Sequence, residues 1–119
     1  MSRAEGTWGE AEVANYLRRR GYTLLAHGFH CRFGEIDLIA RKDGVLCFVE
    51  VKTRRSGSLT PPEAAATQRK FRALSSAAAC YLRTVGWEGE VQFDLAAAEA
   101  ATDGSVQVRL VEQAMEYNW

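Results

Sequence analysis

The chain has 119 residues and no net formal charge at neutral pH. This length supports one hydrophobic core, so we expect a single domain over residues 1–119. The sequence has neither an apolar run long enough to span a bilayer nor a secretion signal, and we therefore expect a cytoplasmic protein with no membrane partner. Its three cysteines lack a C-x-x-C spacing, which argues against a disulfide framework and a structural zinc site.

The first predicted element is a helix over residues 8–20, followed by Gly21, a residue suited to a helix C-terminus. Glu10 shares the helical spacing of the apolar residues after it, so it lies on the stripe that faces the core. Two interpretations of this acid stay open. Thr7 and Glu10 have the spacing of a capping box, in which the glutamate bonds to the backbone of the cap residue. Alternatively, Glu10 belongs to a functional site.

A strand over residues 22–29 follows, and then two strand-like segments, 35–40 and 47–52, flank the dipeptide Asp43-Gly44. Asp-Gly between two such segments predicts a two-residue hairpin, because both turn positions must tolerate positive φ. The turn therefore fixes which residues of the two strands face each other.

In this register Leu38 lies opposite Val49, Asp37 opposite Glu50, and Glu35 opposite Lys52. Because side chains alternate between faces, one face of the hairpin is predicted to be apolar and to pack on the core. That face comprises Ile36, Leu38, Ala40, Val45, Cys47, Val49 and Val51. The other face carries the three acids and the lysine together at the open end.

Asp37 and Glu50 are predicted to be close neighbours, with Cβ atoms about 5 Å apart. Two such charges repel by roughly 3 kcal/mol at an effective dielectric constant near 20. A cation between them would remove this repulsion, and closely set oxygen ligands favour Mg²⁺ or Mn²⁺. The alternative is an ion-pair lattice on a solvated face, with Glu35 and Lys52 forming a cross-strand salt bridge.

A second helix is predicted over residues 67–84, after a short turn from Thr60, with Lys70 in its first turn, where phosphate is attracted. Strands over 91–97 and 106–111 complete the chain. The element order is α-β-β-β-α-β-β, which predicts a mixed sheet with a helix on each side.

Basic residues are concentrated in the first part of the chain. Residues 1–85 contain fourteen Lys and Arg and eight Asp and Glu. Residues 86–119 contain seven Asp and Glu and a single basic residue, Arg109. A nucleic-acid-binding surface is therefore expected in the first part. The main candidates for phosphate contacts are Arg54, Arg55, Arg69 and Lys70.

Several motifs together resemble the YraN family of small bacterial endonuclease-like proteins, members of the PD-(D/E)xK nuclease superfamily that are similar to Holliday junction resolvases. The motifs are G-T-W-G-E at 6–10, G-E-I-D-L-I at 34–39, F-V-E-V-K-T-R at 48–54, the basic helix around Lys70, and F-D at 93–94. The resemblance spans about residues 6–97. The chain departs from the family pattern at Gln92, where arginine is usual, and at Gly28, where asparagine is common.

The resemblance implies a restriction-endonuclease-like core in a single endonuclease-like domain. It implies that Asp37 and Glu50, with the backbone carbonyl of Val51, bind Mg²⁺ or Mn²⁺, and that Lys52 orients the attacking water. Glu10 would support or complete this site, as the equivalent acid does in resolvase-like relatives, and Glu35 would have a secondary role.

The expected function is metal-dependent hydrolysis of phosphodiester bonds in DNA. A chain of this size has no separate module to read bases, so branched, flapped or single-stranded DNA is the expected substrate. Resolvase-like relatives act as symmetric dimers, which suggests a homodimer. Two alternatives stay open: a non-catalytic nucleic-acid-binding module acting with a partner enzyme, and an interaction protein whose acidic C-terminal part binds a basic partner.

Overall fold

The computed structural model describes residues 3–55 and 68–115. These residues form two helices and five strands in the predicted order α-β-β-β-α-β-β. The elements are α1 (Arg3–Arg19), β1 (Thr23–Cys31), β2 (Gly34–Lys42), β3 (Val45–Arg55), α2 (Gln68–Val85), β4 (Glu90–Ala100) and β5 (Val106–Met115).

All five strands form one sheet in the order β1-β2-β3-β4-β5. Strands β3 and β4 are parallel, and the chain between them contains α2; the other neighbouring strands are antiparallel. The predicted mixed α/β fold is therefore confirmed. Parallel strands cannot be joined by a tight turn and need a longer crossover connection, which here contains α2.

Each face of the sheet has its own hydrophobic core. One core joins α1 to the sheet and includes Val13, Ala14, Leu17, Leu38, Ala40, Cys47, Val49, Val51, Ala96 and Ala98. The other joins α2 to the sheet and includes Ile36, Ile39, Leu46, Phe48, Leu74, Ala77, Ala78, Tyr81 and Phe93. The central strands are thus covered on both faces, which explains their nearly continuous apolar sequence.

The hairpin between β2 and β3 has the predicted turn. Asp43 and Gly44 both have positive φ, 52° and 79°, as a two-residue turn of this kind requires. The predicted register is confirmed over five pairs, from Lys42 opposite Val45 to Leu38 opposite Val49.

The ends of several elements differ from the prediction. Helix α1 begins at Arg3 instead of residue 8, and β4 continues through the alanine run to Ala100. Helix α2 lies within one residue of its predicted bounds, and its last residue, Val85, is half exposed. The predicted turn from Thr60 lies outside the described residues. In the described part of the chain, neither helix has the length and apolar character needed to cross a membrane.

Candidate active site

Asp37 lies where the backbone pairing of β2 with β3 stops. The ladder ends at Leu38 opposite Val49. In the predicted register Val51 would pair with the backbone of Ile36, but its N–H instead donates to Oδ2 of Asp37 at 2.8 Å. The predicted backbone pairs beyond Leu38 and Val49 are therefore wrong, because a carboxylate occupies the position of a backbone acceptor.

The alternation of side chains along β2 is interrupted at the same point. Leu38 packs in the α1 core, whereas Ile36 packs in the α2 core. Strict alternation would put both on one face, so the predicted apolar face is wrong for Ile36. The change of face between these two residues accompanies the turn of the Asp37 carboxylate toward β3.

The carbonyl of Val51 lies on the edge of β3 that faces Asp37. In a β-strand the N–H and C=O of one residue point to the same edge, and the Val51 N–H is bonded to Asp37. Two acceptors from different strands, a carboxylate and a backbone carbonyl, are therefore directed into the same gap between β2 and β3.

Glu50 and Lys52 share a face of β3. Val49 and Val51 pack in the α1 core, so the alternate residues Glu50 and Lys52 project from the other face. Both are partly buried. The carboxylate of Glu50 and the ammonium of Lys52 are thus on one side of the strand, as the alternation of side chains predicts.

The negative charges around Asp37 disfavour the ionised form of its carboxyl group. Burial, followed by the nearby charge of Glu50, raises the pKa of Asp37 to about 7, and the charges of Glu10 and Glu35 act in the same direction. The hydrogen bond from Val51 opposes this rise in pKa without cancelling it. Four carboxylates from α1, β2 and β3 therefore lie close enough to influence one another.

Glu10 reaches this cluster from α1. Because α1 begins at Arg3, Thr7 lies inside the helix and cannot be its cap, so the capping-box interpretation of Glu10 is wrong. Burial, then the charge of Glu35, raises the pKa of Glu10; Glu50 adds to the rise and His27 opposes it. The other interpretation, in which Glu10 belongs to a functional site, stays a prediction.

Gly9 fixes the position of Glu10 relative to β3. A Cβ atom at Gly9 would collide with the side-chain oxygen of Thr53, so only glycine permits this approach of α1 to the sheet. The close contact holds the residues on either side of Gly9 at the C-terminal end of β3.

Gly9→Ala is expected to lower the free energy of unfolding by about 1–2 kcal/mol. Overpacking against Thr53 costs about 1–3 kcal/mol, which outweighs the gain of about 0.5–1 kcal/mol from helix propensity. Urea denaturation measures the loss. Adding Thr53→Ala should recover part of it, and an equal loss in both backgrounds would contradict the contact.

Glu35 pairs with β1 instead of β3. His30 Nδ1 lies 3.2 Å from Glu35 Oε2, and the two residues face each other in the β1–β2 ladder. The side chains of both are largely exposed. The alternative of a Glu35–Lys52 salt bridge is not the observed arrangement, and Glu35 lies at the solvent-exposed side of the cluster.

The basic candidates divide into two groups. Arg54 and Arg55 end β3, two and three residues after Lys52, and both line a surface cleft. Arg69 and Lys70 lie in the first turn of α2, but their side chains are outside those that the structure describes. The prediction of phosphate contacts at these two residues therefore stays a prediction.

Within residues 3–55 and 68–115, no three His, Cys, Asp or Glu side chains are arranged to hold a metal ion by themselves. The predicted ligand set differs from such a cluster, since it consists of two carboxylates and one carbonyl. Mg²⁺ commonly keeps several waters and takes only one or two protein carboxylates.

Another acid, Asp94, lies on β4 outside this cluster. It is fully buried and accepts hydrogen bonds from the Gln113 N–H at 2.9 Å and from Gln92 Nε2 at 3.0 Å. Gln113 has a φ of 53° at an irregularity of the β4–β5 ladder. Asp94 thus anchors this bend, and Gln92, which replaces the usual arginine, provides a donor to it.

Asp94→Ala is expected to lower the free energy of unfolding by about 1–3 kcal/mol, because the Gln113 N–H loses its acceptor. Thermal denaturation with and without Mn²⁺ checks this. The stabilisation by Mn²⁺ should match that of the unchanged protein, and a loss of that stabilisation would assign Asp94 to the metal site.

The fold and site define a mixed α/β protein with carboxylates gathered at a gap between two central strands. The sequence profile described as "Uncharacterised protein family UPF0102" matches residues 9–98. The chain therefore belongs to UPF0102, which is the YraN family, so the predicted family membership is confirmed. The nuclease superfamily stays a prediction.

Full-length similarity supports this assignment. A UPF0102 protein of Syntrophomonas wolfei is 48% identical over 96 residues, covering 80% of this chain and 84% of its own. A UPF0102 protein of Symbiobacterium thermophilum is 43% identical over 115 residues, covering 96% of this chain and 98% of its own. The similarity therefore includes both helices and all five strands.

Proposed function

We propose that this protein is a metal-dependent nuclease that hydrolyses phosphodiester bonds in DNA. The observation that supports this most directly is the hydrogen bond from the Val51 N–H to Asp37, which joins one acid to the backbone between Glu50 and Lys52. This bond brings together the two segments that resemble the nuclease motif, one with Asp37 and the other with Glu50 and Lys52.

The residues present fit a divalent cation. Asp37 and Glu50, together with the Val51 carbonyl, would hold Mg²⁺ or Mn²⁺, both of which prefer oxygen ligands. The mutual repulsion that raises the pKa of Asp37 is the repulsion that a bound cation would remove. When bound, such an ion polarises a phosphoryl oxygen and lowers the pKa of water.

Lys52 would act on the attacking water and on the phosphate. Its ammonium shares a face with Glu50, so it can orient a water beside the carboxylates and stabilise negative charge that develops on the phosphate oxygens. Glu10 would position the cluster from α1, and Glu35, which is exposed and paired with His30, would contribute least.

Structure-selective cleavage agrees with the available surface. The described chain is one sheet with two helices, and Arg54 and Arg55 are suited to phosphate contacts, which carry no sequence information. Branched, flapped and single-stranded DNA are therefore the preferred candidates over a defined recognition sequence.

The proposal is tested by incubating the protein with labelled duplex, single-stranded, flapped and four-way-junction DNA, with Mn²⁺ and with EDTA. We expect cleavage of at least one non-duplex substrate only with Mn²⁺. Salt-dependent binding without cleavage of any substrate would contradict the proposal and favour a non-catalytic binding module.

A further inference from the structure

A cleft of about 640 Å³ opens at the C-terminal end of β3. It is lined by Trp8 of α1, by Thr53, Arg54 and Arg55 of β3, and by Ala100, Ala101 and Thr102 after β4. Its volume falls within the range of pockets that enclose small organic ligands.

The cleft adjoins the candidate active site. Arg54 follows Lys52 by two residues, which corresponds to about 7 Å along a strand. Gly9 lies between the α1 residues that border the cleft and the candidate active site. Its close approach to Thr53 fixes Trp8 beside the cleft and Glu10 beside the acids. The cleft therefore lies next to the acid cluster.

The lining combines an aromatic ring with cationic side chains. Trp8 is partly buried against the α1 core and also borders the cleft, so its ring is supported by packing. Arg54 and Arg55 supply guanidinium groups, which suit phosphate. Ala100 and Ala101 add only small side chains to the lining, which leave room for a flat group.

A nucleotide has the two features that this lining matches, a planar base and a phosphate. Stacking on an aromatic side chain requires a free face of the base, and a base inside a duplex is already stacked and paired. Single-stranded nucleic acid offers such a face, and aromatic residues beside a basic groove are its usual binding surface.

We propose that this cleft binds an unpaired nucleotide of the DNA substrate, with its base stacked on Trp8 and its phosphate held by Arg54 and Arg55. The proposal rests on the proposed nuclease function and specifies its substrate as DNA that is unpaired next to the cleavage position. It makes Trp8 a specificity-determining residue.

The test compares Trp8→Phe with Trp8→Leu, since both keep an apolar side chain against the core but only phenylalanine keeps an aromatic face. Binding of a labelled single-stranded oligonucleotide and of a duplex is measured by fluorescence anisotropy in EDTA. Trp8→Leu should weaken single-strand binding by about 5- to 150-fold, Trp8→Phe by much less, and duplex binding should not change.

Trp87→Phe is the matched control, because Trp87 is also partly buried but its indole donates to the Glu90 carbonyl in a different part of the fold. It should leave single-strand binding unchanged. Equal losses in Trp8→Leu and Trp8→Phe, or equal losses for single strand and duplex, would overturn the proposal.

The two proposals fail separately. Trp8-dependent single-strand binding in EDTA, without Mn²⁺-dependent cleavage, would support the cleft and contradict the nuclease function. Mn²⁺-dependent cleavage that responds equally to Trp8→Leu and Trp8→Phe on every substrate would support the nuclease and contradict the cleft.

Discussion

Replacing Glu50 by glutamine is expected to abolish metal-dependent DNA cleavage while making the metal-free protein more stable. Loss of one of two carboxylate ligands should remove several kcal/mol of transition-state stabilisation, which corresponds to a rate decrease of about 10³-fold or more. In the absence of metal, the same change removes a charge that acts on partly buried Asp37.

The gain in stability should be about 1–2 kcal/mol. The charge of Glu50 is the second cause of the raised pKa of Asp37, one pKa unit corresponds to about 1.4 kcal/mol, and the partial exposure of Glu50 keeps the effect near this size. Urea denaturation in EDTA measures the change. A site that is destabilising without its ligand is typical of functional positions.

Glu35→Gln is the control, because Glu35 is an exposed acid of the same cluster that is paired with His30. It should leave cleavage within a few fold of the unchanged protein. If Glu50→Gln cleaves DNA normally, or if Glu35→Gln loses as much activity, the assignment of roles within the cluster is wrong.

Lys52→Ala is expected to slow cleavage by about 10²- to 10³-fold without loss of metal binding. The ammonium is assigned to the developing charge on the phosphate, and removal of one such electrostatic contact has an effect of this size. It contributes no metal ligand, so Mn²⁺ should still raise the melting temperature of the variant, as expected for a ligand that binds the folded state.

Single-turnover cleavage measures the effect of Lys52→Ala on catalysis, and thermal denaturation with Mn²⁺ measures its effect on metal binding. Lys52→Arg is the useful companion, because it retains the positive charge but changes its shape; it should retain more activity than Lys52→Ala. Loss of the Mn²⁺ effect on melting in Lys52→Ala would show that the lysine is needed for the metal site itself.

The sequence predicts the hairpin well because its turn is strongly determined. Few residues tolerate positive φ at both central positions, so Asp43-Gly44 fixes the register of β2 and β3 over five pairs. The periodic apolar residues of α2 similarly fix its bounds to within one residue.

Side-chain hydrogen bonds that replace backbone pairing are much harder to predict. The sequence pattern of β2 does not indicate that Asp37 accepts the hydrogen bond of the Val51 N–H or that Ile36 packs on the α2 side of the sheet. Both depend on whether a carboxylate or a backbone carbonyl accepts that hydrogen bond. The hydrogen bond to Asp94 depends in the same way on an irregularity in the next strand, β5, where Gln113 donates to it.

The positions of element ends and the close contacts between elements also cannot be predicted from a single sequence. Thr7 has the spacing of a cap, and only the observed start of α1 at Arg3 excludes that role. The contact of Gly9 with Thr53, and the resulting position of Trp8 at the cleft, joins residues more than forty positions apart.

The most direct test is a crystal structure with Mn²⁺, in which anomalous diffraction locates the ion. We predict one peak between β2 and β3, about 2.0–2.2 Å from a carboxylate oxygen of Asp37, from one of Glu50 and from the Val51 carbonyl. A peak that lacks either carboxylate as a ligand, or an absence of any peak between these strands at millimolar Mn²⁺, would contradict the account.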